Sequence, residues 1–180
     1  MDRAGGVAAL VCAATYIFGF VFLLTVLVPG GFDPGGADAV ATLDAVAANA
    51  GSVAIWYLVI YVLNALALAV LSAALAGRIA GSAPGLGRTA FALGTIWAAL
   101  VLGAGMVMNV GLSRVIPLHE AGDPAALDLW RTVELIENGL GGGNEVPGAA
   151  WALSLGIPGF ASGVLPRALA ILSLALGIAG

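Results

Sequence analysis

Three uninterrupted apolar runs constrain this chain more than any other feature of its sequence. Residues 5–28, 52–76 and 89–112 contain no charged side chain. Each run is long enough for a helix to cross a hydrocarbon core of roughly 30 Å, at about 1.5 Å per residue. The runs do not alternate with period two, which argues against a transmembrane β-barrel. The sequence therefore predicts an all-α, polytopic transmembrane helical bundle.

The composition agrees with an apolar surrounding. Of the 180 residues, 61% are hydrophobic and only 9% are charged, whereas soluble domains carry about 25% charged residues. A soluble domain of this size exposes much of its surface to water, and this chain has few polar side chains to cover it. In a bilayer the solvent is itself apolar, and helices satisfy their own backbone hydrogen bonds. We expect membrane lipids to be its immediate partners.

Two further hydrophobic segments extend the predicted bundle, which we treat as one domain over residues 1–180. A fourth span is expected over residues 144–162. A fifth begins at Pro166 and covers residues 166–180. Since the residues after Arg167 reach only about 20 Å as a helix, we expect this span to be incomplete. The prediction is thus four complete spans and a partial fifth.

An amphipathic outer helix is predicted between the third and fourth spans. Asp123 and Pro124 form the pattern of an N-cap followed by proline at the first helical position. Helical spacing predicts one apolar face, made of Leu129, Val133, Ile136 and Leu140. A second short helix is expected at the membrane interface over residues 37–50.

The arginines predict the orientation of the chain. With the N-terminus in the cytoplasm, four arginines lie on the cytoplasmic side: Arg3, Arg78, Arg88 and Arg167. Arg114 and Arg131 then lie outside. The opposite orientation places two arginines in the cytoplasm and four outside, which conflicts with the excess of positive charge in cytoplasmic loops. We therefore predict a cytoplasmic N-terminus.

Missing residue types exclude several kinds of chemistry. The sequence has no lysine, so a retinal Schiff base is excluded. His119 is the single histidine and cannot supply bis-histidine haem ligation or a multi-histidine zinc site. Cys12 is the single cysteine, which excludes a thiol pair within the chain. With a net charge of −4 and no basic run, nucleic-acid binding has no electrostatic basis. No cofactor is expected, and a non-enzymatic protein is favoured.

One polar segment, at the mouth of the fourth span, is a candidate ligand or ion site. Carboxylates and amides three or four residues apart are neighbours on a helix, and oxygen ligands suit hard cations. The candidate residues are Glu134, Glu137, Asn138, Asn144, Glu145, Arg114, Arg131 and Asn109. An Arg131–Glu134 pair is expected, and the glycines at 141–143 allow a break between helix segments. The alternative is a solvated interfacial helix whose charges simply stay in water.

Three functions are compatible with this pattern. The first is a non-enzymatic membrane protein that binds a lipid, a small ligand or a partner at an outer acidic mouth. The second is a small transporter or ion-coupled permease that uses Glu137 and Glu145. The third is an intramembrane metal-dependent hydrolase. The sequence leaves open whether a second copy or another membrane protein is a partner.

The order of segments resembles a known family. A first span is followed by a short acidic loop with an alanine-rich helix and by a span beginning Trp56-Tyr57-Leu58-Val59-Ile60-Tyr61. The chain closes on Gly163-Val164-Leu165-Pro166-Arg167. This is similar to the bacterial multi-pass membrane proteins of the domain-of-unknown-function 4386 family. The resemblance implies about six spans, a bacterial cytoplasmic membrane and a C-terminal truncation of this chain, and it implies no activity.

Overall fold

The computed structural model describes residues 2–35, 38–142 and 146–179. In these residues the chain is helical and contains no strand, which confirms the all-α prediction. The α-helices are α1 (Asp2–Phe22), α2 (Ala39–Ala48), α3 (Ala50–Tyr57), α4 (Asn64–Ala80), α5 (Pro84–Glu120), α6 (Ala125–Glu137), α7 (Val146–Ser162) and α8 (Arg167–Ala179). Three π-helical segments occur at Leu23–Leu27, Leu58–Leu63 and Asn138–Gly142.

Three continuous helices are long and apolar enough to cross a membrane. They are Arg3–Leu27, Ala50–Ala80 and Pro84–Glu120, and they contain almost all of the first three predicted spans. Large apolar side chains on α1 are exposed, as contact with lipid requires: Val7, Leu10, Ile17 and Phe20. Four apolar side chains facing outward along one helix would be costly in water. The described residues therefore include three helices suited to cross a membrane by their length and composition.

The third of these helices is longer than the sequence predicts. The predicted span ends at residue 112, whereas α5 continues through Pro117 to Glu120. Leu112 and Val115 are buried at 3% and 0% exposure. Proline removes one backbone hydrogen bond and clashes with the preceding turn, and the burial of these two side chains offsets that cost.

Two caps explain where the shorter helices begin. The Asp38 carboxylate accepts hydrogen bonds from the backbone N–H groups of Val40 and Ala41, at 3.0 and 3.1 Å. Asp123 Oδ1 accepts from the N–H of Ala125 at 2.9 Å. Both carboxylates satisfy N–H groups that have no partner within the helix. The interfacial helix and the amphipathic helix thus start within about two residues of their predicted positions.

The chain forms two compact units. Unit 1 comprises Met1–Cys12, Ala65–Leu100 and Asn144–Gly180, and unit 2 comprises Ala13–Asn64 and Val101–Gly143. In unit 1, α7 packs along α8, where Gly156 faces Leu174 and Gly177 faces Leu153. The indole rings of Trp97 and Trp151 lie 5.3 Å apart in the same unit. Gly156 and Gly177 have no side chain, which allows α7 and α8 to approach each other closely.

Unit 2 has the larger aromatic core. Trp130 is 1% exposed, and Met108, Val46 and Val53 are fully or almost fully buried with it. Polar links join its helices: the Trp56 indole N–H donates to the Gly19 carbonyl at 2.9 Å. The Asn64 amide donates to the Thr15 hydroxyl at 2.7 Å in a buried position. An amide in an apolar interior needs such a partner, as expected for a polar residue within a membrane span.

Candidate functional site

The amphipathic helix α6 buries a carboxylate. Glu137 is its last residue and is only 4% exposed. The buried residues of α6 are Ala126, Trp130, Val133 and Glu137, whose spacing of four, three and four places them on one face. Ile136, predicted on the apolar face, is instead 45% exposed. The buried face is therefore rotated from the predicted one, because it centres on the large indole of Trp130.

Two tyrosines from the second spanning helix meet this carboxyl. The Tyr61 hydroxyl lies close enough to the Glu137 carboxyl to hydrogen-bond with it and so to lower its pKa. Tyr57, 6% exposed, lies within electrostatic range of Glu137 and Glu134. The two tyrosine rings are 5.3 Å apart. They lie four residues apart at the junction of α3 with a π-helical segment, and such segments occur often at functional sites.

One oxygen of the buried carboxyl is left without a partner. Among the described residues, Glu137 Oε1 accepts no hydrogen bond. Leaving a buried acceptor unsatisfied costs about 1–3 kcal/mol. Native proteins carry few such groups, and many of them occur where a ligand or water completes the site. This oxygen is the strongest sign of a binding function in the part of the chain that the structure describes.

Burial favours the protonated form of both carboxyls, and like charge favours it further at Glu134. Burial raises the pKa of Glu137 above its ordinary value of 4.5, and the hydrogen bond from Tyr61 partly opposes this rise. Burial also raises the pKa of Glu134, and repulsion by Glu137 raises it further. These directions follow because an apolar surrounding and a neighbouring anion both disfavour a second negative charge.

A glycine on α5 makes room for the tyrosine. A side chain at Gly105 would collide with Tyr61 Cβ and would lie 3.2 Å from Val62 Cγ2. The backbone of α5 therefore approaches Tyr61 closely. This contact fixes the position of Tyr61 Cβ relative to α5.

The structure brings together only part of the predicted site. Glu134 and Glu137 lie one helical turn apart on α6 and interact. The Asn138 amide donates to the Glu134 carbonyl at 2.9 Å, and the Asn109 amide donates to the Gly105 carbonyl at 2.9 Å. Both amides are thus used by the backbone of their own helical segment.

The predicted arginines take other positions. Arg131 Nη1 lies 3.8 Å from Asp128 Oδ1, so the expected pair with Glu134 is replaced by a pair with Asp128. Both spacings are three residues, and Asp128 is the more exposed partner. Arg114 is exposed at the edge of an apolar groove. Asn144 and Glu145 lie outside the described residues.

Sequence reasoning missed Tyr57 and Tyr61 as members of the site. Their position near the start of a span is typical of an interfacial aromatic belt, so spacing alone does not mark them as site residues. A signal was present, since two tyrosines four residues apart share one helical face and carry hydroxyls that need partners when buried. Their partner on α6 is distant in sequence and was not predictable from spacing.

The described residues contain no group of three or more histidine, cysteine, aspartate or glutamate side chains arranged to hold a metal ion. Comparison with known proteins is also negative. No protein-family model, curated protein or solved structure matches this chain.

Proposed function

We propose that this chain is a non-enzymatic, multi-pass membrane protein that binds a small ligand at the Glu137 carboxyl. The supporting observation is the unpartnered Oε1 of a side chain that is only 4% exposed. A cation or a hydrogen-bond donor would complete this oxygen and recover the cost of its burial. Tyr61 holds the carboxyl in place, so little side-chain entropy is lost on binding.

The wider acidic mouth belongs to the same proposal. Glu134 lies one turn from Glu137 and adds a second carboxyl whose charge attracts a cation. Asn144 and Glu145 follow in sequence and remain candidate members of the mouth. Oxygen ligands of this kind suit hard cations such as Mg²⁺ and Ca²⁺.

Thermal unfolding of the full chain in detergent tests the proposal. The wild type is measured with MgCl₂, with CaCl₂ and with NaCl at equal ionic strength, beside Glu137→Gln and the control Glu120→Gln. Glu120 is exposed at the end of α5. The proposal expects a divalent-specific rise in Tm for the wild type and the control, and none for Glu137→Gln. An equal rise in all three proteins would mean that Glu137 is not the site.

A second candidate is an ion-coupled transporter in which Glu137 carries a proton. The upward pKa direction of Glu137 favours it, because a coupling carboxyl must change protonation within the working range of pH. Protein reconstituted in liposomes with an internal pH dye tests it. An acid pulse should acidify wild-type liposomes faster than Glu137→Gln liposomes. Equal rates would exclude proton transport through this residue. No contact among the described residues favours a metal-dependent hydrolase.

The cellular setting is part of the proposal. We place the chain in a bacterial cytoplasmic membrane, with its N-terminus in the cytoplasm, α7 as a fourth span and α8 as a further membrane segment. The resemblance to the domain-of-unknown-function 4386 family and the arginine distribution support this. Single cysteines placed at Arg88 and Arg131 in a Cys12→Ala chain test the orientation in intact cells. A membrane-impermeant thiol reagent should label position 131 and not position 88; the reverse would overturn the orientation.

A further inference from the structure

An apolar groove runs between α5 and α6 in unit 2, and Glu137 is not among the residues that line it. Its cavity volume is about 430 Å³. Met106 and Val110 on α5 form one wall, and Leu129 and Val133 on α6 form the other. Met106 and Val110 are 56% and 62% exposed, although α5 is one of the membrane-spanning helices. The groove is therefore open to the surface of a helix that contacts hydrocarbon.

A glycine sets the depth of the groove. Gly111 lies on its floor, where a side chain would come within 2.6 Å of Val133 Cγ1. The absence of a side chain lets α6 approach α5 below the flanking residues. The result is an open apolar groove between the two helices.

The guanidinium of Arg114 lies at one end of this groove. Met106, Val110 and Arg114 are spaced four residues apart, so they follow one face of α5 over roughly 12 Å. Arg114 is exposed, and it forms no ion pair with any carboxylate of the described residues. A guanidinium matches the geometry of a phosphate and binds it with paired hydrogen bonds.

We infer that the α5–α6 groove binds one anionic phospholipid, with an acyl chain against Met106, Val110 and Leu129 and its phosphate on Arg114. The chemistry at the two ends supports this occupant. Apolar side chains at the depth of a spanning helix match a hydrocarbon chain, and a cation at the end of the span matches a headgroup. The groove is lined by residues that the proposed ligand site does not use, so the two proposals fail independently.

Native mass spectrometry of the full chain tests this inference. Protein purified in detergent is titrated with phosphatidylglycerol, and the fraction retaining one lipid is measured for four variants. Arg114→Gln removes the phosphate contact, with Arg88→Gln as its exposed control. Val110→Trp fills the groove, with Val7→Trp on exposed α1 as its control. Val110 and Val7 have nearly equal exposure, 62% and 61%, so neither change disturbs a core.

We expect Arg114→Gln and Val110→Trp each to weaken lipid retention about tenfold, as loss of roughly 1.4 kcal/mol of binding energy does. The two controls should match the wild type. Equal retention by all five proteins would overturn the inference. So would full competition by inorganic phosphate, which would indicate an anion site without an acyl chain. A change in oligomeric state with Val110→Trp and no loss of lipid would show that a second copy covers the groove.

Discussion

The Tyr61 hydroxyl lies within hydrogen-bonding reach of the Glu137 carboxyl, and one oxygen of that carboxyl, Oε1, has no partner among the described residues. The pair joins the second spanning helix to the amphipathic helix α6. It also divides the carboxyl into one held oxygen and one available oxygen. That division is what a binding carboxyl needs, because it is oriented by the protein and still able to accept a ligand.

Replacing Glu137 with glutamine should stabilise the protein at neutral pH. Because the folded-state pKa is raised above 4.5, the carboxyl favours folding only while it is protonated. That contribution is complete below pH 4.5 and is lost as the pH rises through the folded-state pKa. Each pKa unit is worth about 1.4 kcal/mol, or roughly 3–6 °C in Tm for a chain of this size.

The measurement is Tm against pH for the wild type, Glu137→Gln and Glu120→Gln. The wild type and Glu120→Gln should lose Tm together above pH 4.5, and the Glu137→Gln curve should be flatter. If Glu137→Gln melts below the wild type at neutral pH, the carboxylate is instead satisfied in its charged form.

Removing the Tyr61 hydroxyl should lower the free energy of unfolding by an amount that depends on pH. Its hydrogen bond stabilises the charged carboxylate, so Tyr61→Phe should raise the Glu137 pKa further. A bond to a charged group contributes about 1.5–3 kcal/mol, and the loss should be larger at alkaline than at acidic pH. A double-mutant cycle with Glu137→Gln isolates the pair. A coupling energy near zero at alkaline pH would show that the two side chains do not interact.

The buried amide of unit 2 should contribute modestly to stability. Asn64→Leu and Thr15→Val each remove one side of the 2.7 Å hydrogen bond between the first two spanning helices. Interhelical hydrogen bonds in membranes average about 0.6 kcal/mol and reach about 1.7 kcal/mol. We expect a coupling energy in that range from chemical unfolding of the two single variants and the double variant. Strict additivity would argue against this contact.

Two glycines in unit 1 should respond oppositely to alanine. A methyl group at Gly94 would lie 2.5 Å from Trp151 Nε1 and 2.6 Å from Ser72 Cβ, whereas nothing lies within 4 Å of one at Gly6. Gly94→Ala should cost about 1–3 kcal/mol through overpacking. Gly6→Ala should stabilise its helix by roughly 0.5–1 kcal/mol. Comparable Tm changes in both variants would contradict the close approach at Gly94.

The spanning helices were predictable from sequence because a helix with a long apolar run is stable only in an apolar surrounding. Their ends were less predictable. Residues 113–120 are polar in part, and only the burial of Leu112 and Val115 in unit 2 explains why the helix continues past Pro117. Local composition contains no information about that packing.

The acidic segment was also found from sequence, but the geometry of its site was not. Spacing predicted that Glu134 and Glu137 would be neighbours, and it could not predict which face of α6 is buried. That face is set by Trp130 and by tyrosines some 80 residues away in the chain. Arg131 illustrates the same limit, since Asp128 and Glu134 are equally spaced from it and only the structure distinguishes them.

Infrared difference spectroscopy of the purified protein, titrated with acid, tests the central claim most directly. It records the protonated carboxyl C=O band of single side chains. We predict that the wild type and Glu120→Gln share a band that titrates above pH 4.5, and that Glu137→Gln lacks it. Adding Mg²⁺ or Ca²⁺ should weaken that band, because the bound cation displaces the proton of the Glu137 carboxyl. If the wild-type and Glu137→Gln spectra are identical across the titration, Glu137 is not a buried protonatable group and the proposed site is wrong.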